Sequence, residues 1–356
     1  MQTQPATQPA LSAHRAATRN PAGRFEKIHL EPDPEAAPDQ SPLPRTRFFR
    51  DHGATAIAFN NSPDVGFNAS LNPYRGCEHG CIYCYARPTH EYLGFSGGLD
   101  FESKIMVKEN APELLRRELA SPGWKPQVIV MSGVTDCYQP VERRLKLTRR
   151  CLEVLAQFRN PVAMITKNFL VTRDVDLLSG LARHNAASVA VSITTLDNHL
   201  RRVMEPRTSP PRARLAAIGK LSEAGIPTGV MVAPIIPGLT DHEIPAILDA
   251  AAKAGALWAG FTVIRLPFGN AALFEQWLQA HFPDRKDKIL NRIKTMRGGK
   301  LYDAQWGARM RGKGIFADQI ETMFHVASRR SGFKDEHPPL STAAFRPPAP
   351  PQLTLF

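Results

Sequence analysis

Cysteine is scarce in this 356-residue chain: there are five, and three of them fall within eight positions. A disulfide framework would use an even number and spread them more widely, so metal binding in a reducing compartment is the better reading. Long apolar runs are missing too. No stretch approaches the roughly 20 consecutive apolar residues that cross a bilayer, and the N-terminus lacks the apolar core of a secretory signal. The expectation is a cytoplasmic protein with no membrane association. Acidic side chains are in deficit: 33 Asp and Glu stand against 45 Lys and Arg, a formal charge of +12. Counterion release makes such an excess favourable on a polyphosphate, which puts nucleic acid among the candidate partners. The same charge also serves solubility alone.

With 43% hydrophobic residues, the chain can build a substantial core. Residues 1–45, rich in Pro, Ala, Gln and Thr, show little apolar periodicity, and ordering them would lose more entropy than burial returns. They read as a disordered N-terminal tail. Residues 336–356 read as a second one, because Pro338, Pro339, Pro347, Pro348, Pro350 and Pro351 remove backbone donors and disfavour helix. Between the tails, short apolar runs alternate with amphipathic stretches. A short strand near 69–74 is followed by runs at 127–131 (QVIVM), 161–166, 188–194 (SVAVSIT), 228–236 (TGVMVAPII) and 257–266. Helical patterns follow the later runs, at 143–158 and 171–184 among others. About six β/α units result. Continuous apolar strands separated by helices mean a parallel sheet covered on both faces, wound into a partial (β/α)6, TIM-like barrel over residues 46–282. Its ligands belong at the carboxyl ends of the strands. Residues 283–335 form a basic helical extension, with helices expected at 285–297 and 315–331.

The segment 72–87 reads NPYRGCEHGCIYCYAR, with the spacing Cys77-x3-Cys81-x2-Cys84. Three thiolates on one short loop can hold three irons of a 4Fe-4S cube and leave the fourth iron open to the amino and carboxylate groups of S-adenosylmethionine. Gly76 and Gly80 suit a loop that needs close backbone approach and positive φ. The rival reading is a zinc site completed by His79 or His90. Against it stand the tight packing of the three cysteines and the lack of a second CxxC pair. His79 reads better as a hydrogen-bond partner behind the ligands.

These residues resemble the signature of the radical S-adenosylmethionine superfamily, C-x3-C-x2-C with an aromatic residue, here Tyr83, before the last cysteine. The longer string RGCEHGCIYCYAR is similar to the branch related to spore photoproduct lyase, and the likeness extends over about 69–266. The resemblance implies a partial barrel, a 4Fe-4S cluster, S-adenosylmethionine as cosubstrate, an external electron donor and a 5′-deoxyadenosyl radical. It further implies that Ser132 and Gly133 meet the cosubstrate's amino group, that Lys167 faces its carboxylate, and that Ser192 and Thr194, on one face of a strand, serve the ribose. Cys137 is a candidate for returning a hydrogen atom to a product radical. The lyase's donor, however, aligns with Gly133, and a buried cysteine is commonly a small hydrophobe. Tyr138 and Tyr85 are candidate radical relays. Cys151 reads as core, Asp197 as a helix N-terminal residue, and Glu205 with Arg207 as a local ion pair or a ligand contact.

The chain ends in Gln352-Leu353-Thr354-Leu355-Phe356. Exposed Leu and Phe at the tip of a Pro-rich tail call for a partner groove. The peptide resembles QLxLF, by which many bacterial DNA repair and replication proteins dock on the sliding clamp; Gln352, Leu353, Leu355 and Phe356 fill its defining positions. The other reading is an apolar end folded back on the barrel. Together these features lead us to expect a radical enzyme acting on DNA, in lesion repair or lyase-like chemistry. The alternatives are the same chemistry on RNA, a peptide or a small metabolite, and a zinc-dependent nucleic-acid-binding module without catalysis.

Overall fold

All six runs read as strands do form strands, and they lie side by side in parallel. The computed structural model describes residues 15–26, 44–334 and 339–348. In chain order the strands are β1 (Arg47–Arg50), β2 (Ile57–Phe59), β3 (Ala69–Leu71), β4 (Tyr74–Arg75), β5 (Lys104–Val107), β6 (Ile129–Met131), β7 (Val162–Thr166), β8 (Ala187–Ser192), β9 (Thr228–Ile235) and β10 (Trp258–Val263). The main sheet has the order β10-β9-β8-β7-β6-β3-β2, every neighbour parallel except the β2–β3 pair. It is the open α/β barrel of six β/α units that the sequence implied.

Burial explains why these strands were legible. Every residue of β8 is buried, as expected when helices cover both faces and the run can be apolar throughout. The helix Leu147–Phe158 supplies Leu152, Leu155 and Phe158 to the core at 1% exposure or less. Pro211–Glu223 and Ile244–Lys253 pack against β9 in the same way. β1, β2, β4 and β5, of two to four residues, left no such pattern. β1, β5 and β4 form a small separate sheet that the periodicity did not reveal, and β4 runs directly into the cysteine loop.

Parts of both expected tails are docked, which corrects their extent. In the first, Ala16 and Ala17 are buried, and their N–H groups donate to the Glu102 carboxylate at 3.3 and 3.0 Å. In the last, Ser341 donates its N–H to Asn185 (2.8 Å), Arg346 to Phe158 (2.9 Å), and the Phe345 ring lies 6.2 Å from that of Phe158. Backbone donors and single side chains make these contacts, so no apolar period marks them in the sequence. The pentapeptide 352–356 lies outside the described residues.

The extension also packs on the barrel. Its helices are Pro283–Thr295 and Ile315–Arg330; Phe324 stacks 4.5 Å from Phe261 of β10. Val263 of β10 donates to the Met310 carbonyl at 2.8 Å, and Lys334 bridges Trp258 at the strand's other end.

Phe158→Ala should lower unfolding free energy by about 3–5 kcal/mol, because it empties a fully packed site. Phe345→Ala should cost only about 1 kcal/mol and open 339–348 to protease before the barrel unfolds. Denaturant titration paired with limited proteolysis checks both.

Candidate active site

β4 delivers the chain to a loop whose shape is set by two glycines and one buried arginine. Gly76 and Gly80 have φ of 79° and 65°, where a side chain is strained. A Cβ on Gly80 would also lie 2.7 Å from the Glu102 carboxylate, and one on Gly76 2.9 Å from the His90 ring. Arg87, at 0% exposure, donates to the carbonyls of Gly80 (3.1 Å), Cys81 (2.9 Å), Gly97 (3.1 Å) and Gly98 (3.0 Å), and pairs with Glu102 at 2.5 Å. Cys77 and Cys81 are buried and Cys84 half-buried, all as free thiols. All three line one cavity of about 240 Å³. Burial pushes all three thiols upward from their ordinary pKa, outweighing the opposing pull of Lys167 and Arg214 on Cys81 and of Arg87 on Cys84.

The donor set fits a cluster. Three soft sulfur donors line one cavity, which is the donor chemistry of an iron–sulfur cluster. His90 lies outside the cavity lining, donating from Nε2 to the Lys104 carbonyl at 2.9 Å and packed against Phe95 and Phe101; burial draws its pKa down to about 4. His79 does line the cavity, with Nδ1 3.3 Å from the Asp136 carboxylate and Nε2 accepting from the Asn168 amide at 3.2 Å.

Opposite the cysteines stand the carboxyl ends of the strands. Ser132 follows β6 with φ of 72°. Asp136 accepts from the Thr166 hydroxyl (2.8 Å) and the Lys167 N–H (2.8 Å). Burial raises its pKa, but the His79 contact and these hydrogen bonds prevail and hold it below the usual carboxylate value. Lys167, after β7, donates from Nζ to Ser192 Oγ (2.6 Å), the Ala233 carbonyl (2.8 Å) and Thr194 Oγ1 (3.2 Å), with Glu205 3.6 Å away. Burial draws its ammonium downward. Glu205 is wholly buried and accepts from both Tyr83 and Arg214. Burial pushes that carboxyl up, yet Arg214, Lys167 and the Tyr83 hydroxyl outweigh it and bring the pKa to about 2.

The structure therefore gathers Cys77, Cys81, Cys84, Tyr83, Ser132, Lys167 and Ser192 around one cavity. Thr194 stands behind the lining, 3.2 Å from the Tyr83 hydroxyl. Gly133 accepts the Tyr85 hydroxyl on its carbonyl at 2.7 Å. Cys137 and Tyr138 are not among the residues brought to the cavity: Asp136 takes the cavity position, and the next two side chains enter the core at 0% exposure, Tyr138 donating to Asp174 at 3.0 Å. Glu205 and Arg207 are not a local pair, since Arg207 binds Glu78 at 2.9 Å. Asp197 does cap its helix, accepting from His199 and Leu200. The sequence reading missed Arg214 and Arg265. Arg265 stands at the end of the sixth run, on the mouth of the barrel, and that position was the available signal. Met310 reaches the lining from the extension, which no local pattern could show.

Six β/α units with a three-cysteine loop at their strand ends define a radical S-adenosylmethionine enzyme. The chain belongs to the radical SAM superfamily, whose family model matches residues 71–251; membership implies S-adenosylmethionine and a 4Fe-4S cluster. An uncharacterised protein of Mycobacterium tuberculosis is 38% identical over 226 residues, 63% of this chain and 66% of that protein's length. One from Methanocaldococcus jannaschii is 29% identical over 64% of this chain and 81% of its own. A radical SAM Nalpha-GlyT isomerase of Pseudomonas phage M6 is 25% identical over 48% and 34%. Among solved structures, spore photoproduct lyase complexed with dinucleoside spore photoproduct shares the fold, with a TM-score of 0.55 at 18% identity over 80% of this chain and 78% of that one. Among the described residues, no helix is long and apolar enough to cross a membrane.

Glu205 gives a pH test. Its folded pKa of about 2 lies below the ordinary 4.5, so its contribution is fully present above about 4.5 and is lost as pH falls through about 2. Glu205→Gln should cost about 3 kcal/mol near neutral pH, and the gap to wild type should close as the medium is acidified across that window. Urea midpoints measured over the same range check it.

Proposed function

We propose that the protein generates a 5′-deoxyadenosyl radical from S-adenosylmethionine and directs it at DNA, in a repair or lyase-like reaction. The observation that carries the radical half is the shared cavity: three free cysteines line it together with Lys167 and Ser192. A cluster held by Cys77, Cys81 and Cys84 would supply one-electron reduction of the sulfonium, fed by an external donor, and so the radical that takes hydrogen from an unactivated carbon. The protein's part is to bind, orient and keep dry.

Cys77, Cys81 and Cys84 hold the cluster, and the Tyr83 ring closes the wall beside them. Ser132 and Gly133 offer backbone at a strand end to the cosubstrate's amino group. Lys167 is a buried cation that donates to neutral oxygens with Glu205 3.6 Å away, so a methionine carboxylate would exchange a neutral acceptor for a charged one. Ser192 serves the ribose, with Thr194 steadying Lys167 and Tyr83 from behind. DNA as substrate is supported by the charge of +12, by the fold shared with a lyase that holds a dinucleoside photoproduct, and by the terminal pentapeptide, which would tether the enzyme to the sliding clamp and raise its local concentration on DNA. A reducing cytoplasm suits free thiols.

Purified without oxygen and with its cluster rebuilt, the protein should form 5′-deoxyadenosine from S-adenosylmethionine on reduction, and Cys84→Ala should form none. A colourless protein holding one zinc ion would falsify the radical reading, whereas indifference to every damaged DNA offered would remove the DNA half alone. Separately, Leu355→Ala with Phe356→Ala should weaken capture on immobilised sliding clamp by tenfold or more; equal capture of wild type and variant rules out the tether.

A further inference from the structure

Around the mouth of the cavity the protein exposes aromatic rings, and an arginine is stacked on each. Tyr85 is 44% exposed with the Arg265 guanidinium 4.2 Å from its ring centroid; Phe268 is 57% exposed with Arg24 at 3.8 Å; Trp306 is 52% exposed with Arg309 at 4.1 Å. The pairs lie near one another: Arg265 interacts electrostatically with Arg309 and with Tyr302, whose ring lies beside Phe268. Tyr85 and Arg265 belong to the cavity lining, as does Met310, the neighbour of Arg309. Phe268 follows Arg265 by three residues, and its ring is 6.4 Å from that of Tyr302.

Single exposed hydrophobes are ordinary on a protein surface, but a rimmed cluster of them marks a binding site. Two further observations point to a ligand. Phe268 is held at φ of 51°, a left-handed conformation rare for a bulky residue and kept where the surroundings enforce it. The arginines differ in their partners: Arg24 is fixed by Glu91 and Arg309 by Asp64, whereas Arg265, half-buried in the cavity wall, has no carboxylate at ion-pair distance among the described residues. A partly desolvated guanidinium without a counter-charge suits an incoming anion.

We infer that these pairs form a strip that binds an unpaired nucleotide strand, its bases stacking on the exposed rings and one phosphate pairing with Arg265, so that a nucleotide enters the cavity free of a duplex. The inference rests on the reading of DNA as substrate and adds the state of the strand. Bases inside a duplex already stack on each other and offer no faces to these rings, while an unpaired strand offers one per nucleotide. Stacking of this kind tolerates any sequence, because every base has a π-face. The stacked guanidiniums add cation–π attraction and the positive field that the backbone follows.

The test is fluorescence anisotropy of the full chain with its cluster rebuilt, against a labelled oligonucleotide of about 16 nucleotides. The probe is offered as single-stranded DNA, as duplex and as single-stranded RNA over a salt series, with polyglutamate as competitor. Single-stranded DNA should bind at least tenfold more tightly than duplex. Phe268→Ala and Trp306→Ala should each weaken that binding about tenfold while leaving duplex affinity and melting temperature unchanged. Arg265→Gln should reduce the slope of affinity against salt by about one. Equal binding of duplex and single strand, ring variants indistinguishable from wild type, or displacement by polyglutamate as effective as by DNA would each overturn the strip and leave DNA standing as substrate. Preference for the RNA strand, with the ring variants still impaired, would uphold the strip and overturn the DNA reading. No binding of any strand would sink both.

Discussion

The ion pair of Arg87 with Glu102 is what the cysteine loop is built around. Both side chains are fully buried, and a buried pair is tolerable only where the remaining donors and acceptors are met. Here they are. The guanidinium spends its other donors on four carbonyls of the loop and its neighbours, and the carboxylate takes two backbone N–H groups from the N-terminal segment. Three stretches distant in sequence are thus locked to a single pair of charges. A network satisfied at every member is rigid, and rigidity is what three thiols need if they are to keep a fixed spacing. Removing one partner would strand the other charge in the interior, at about 3–5 kcal/mol.

Two further polar systems flank the thiols and divide the work around the cavity. On one side Asp136 gathers His79, Thr166 and the backbone of Lys167; on the other Glu205 gathers Tyr83, Arg214 and the Lys167 ammonium. Lys167 belongs to both, through its backbone to the first and its side chain to the second, so the end of β7 is fixed from two directions. In each system the carboxylate stays ionised because its partners outweigh the penalty of burial, His79 and backbone N–H groups at Asp136, and Arg214, Lys167 and Tyr83 at Glu205. The charged groups Asp136 and Lys167 on the cavity wall therefore already have partners, and Arg265 is the exception at its rim.

The cysteine motif and the six parallel strands were readable because their signals are local: a fixed spacing in one case, runs of apolar residues buried on both faces in the other. What stayed hidden depends on distance in sequence. Arg87 is tied to Glu102 fifteen residues on, Glu205 to Arg214 nine on, and Arg207 to Glu78 far upstream; nothing at either partner announces the other. The reading of Glu205 and Arg207 as neighbours paired in space followed sequence proximity and failed for that reason. The choice left open for Cys137, reactant or core, turns on a subtler effect. Cys137 sits one residue beyond Asp136, and in an irregular loop a single step decides between cavity and core. The docked parts of the tails use main-chain donors, which every residue but proline has and which leave no mark in composition.

The way the extension meets β10 has a consequence for the behaviour of the whole chain. The last strand of an open sheet carries unpaired N–H and C=O groups, a template on which another molecule can add its own strand. Here the Met310 carbonyl takes the N–H of Val263 and Lys334 bridges Trp258, so the chain's own later residues occupy the two ends of that edge. The region after the barrel thereby guards against self-association. A shortened form ending at the barrel would keep its strands but present β10 as a sticky margin, prone to dimers and aggregates.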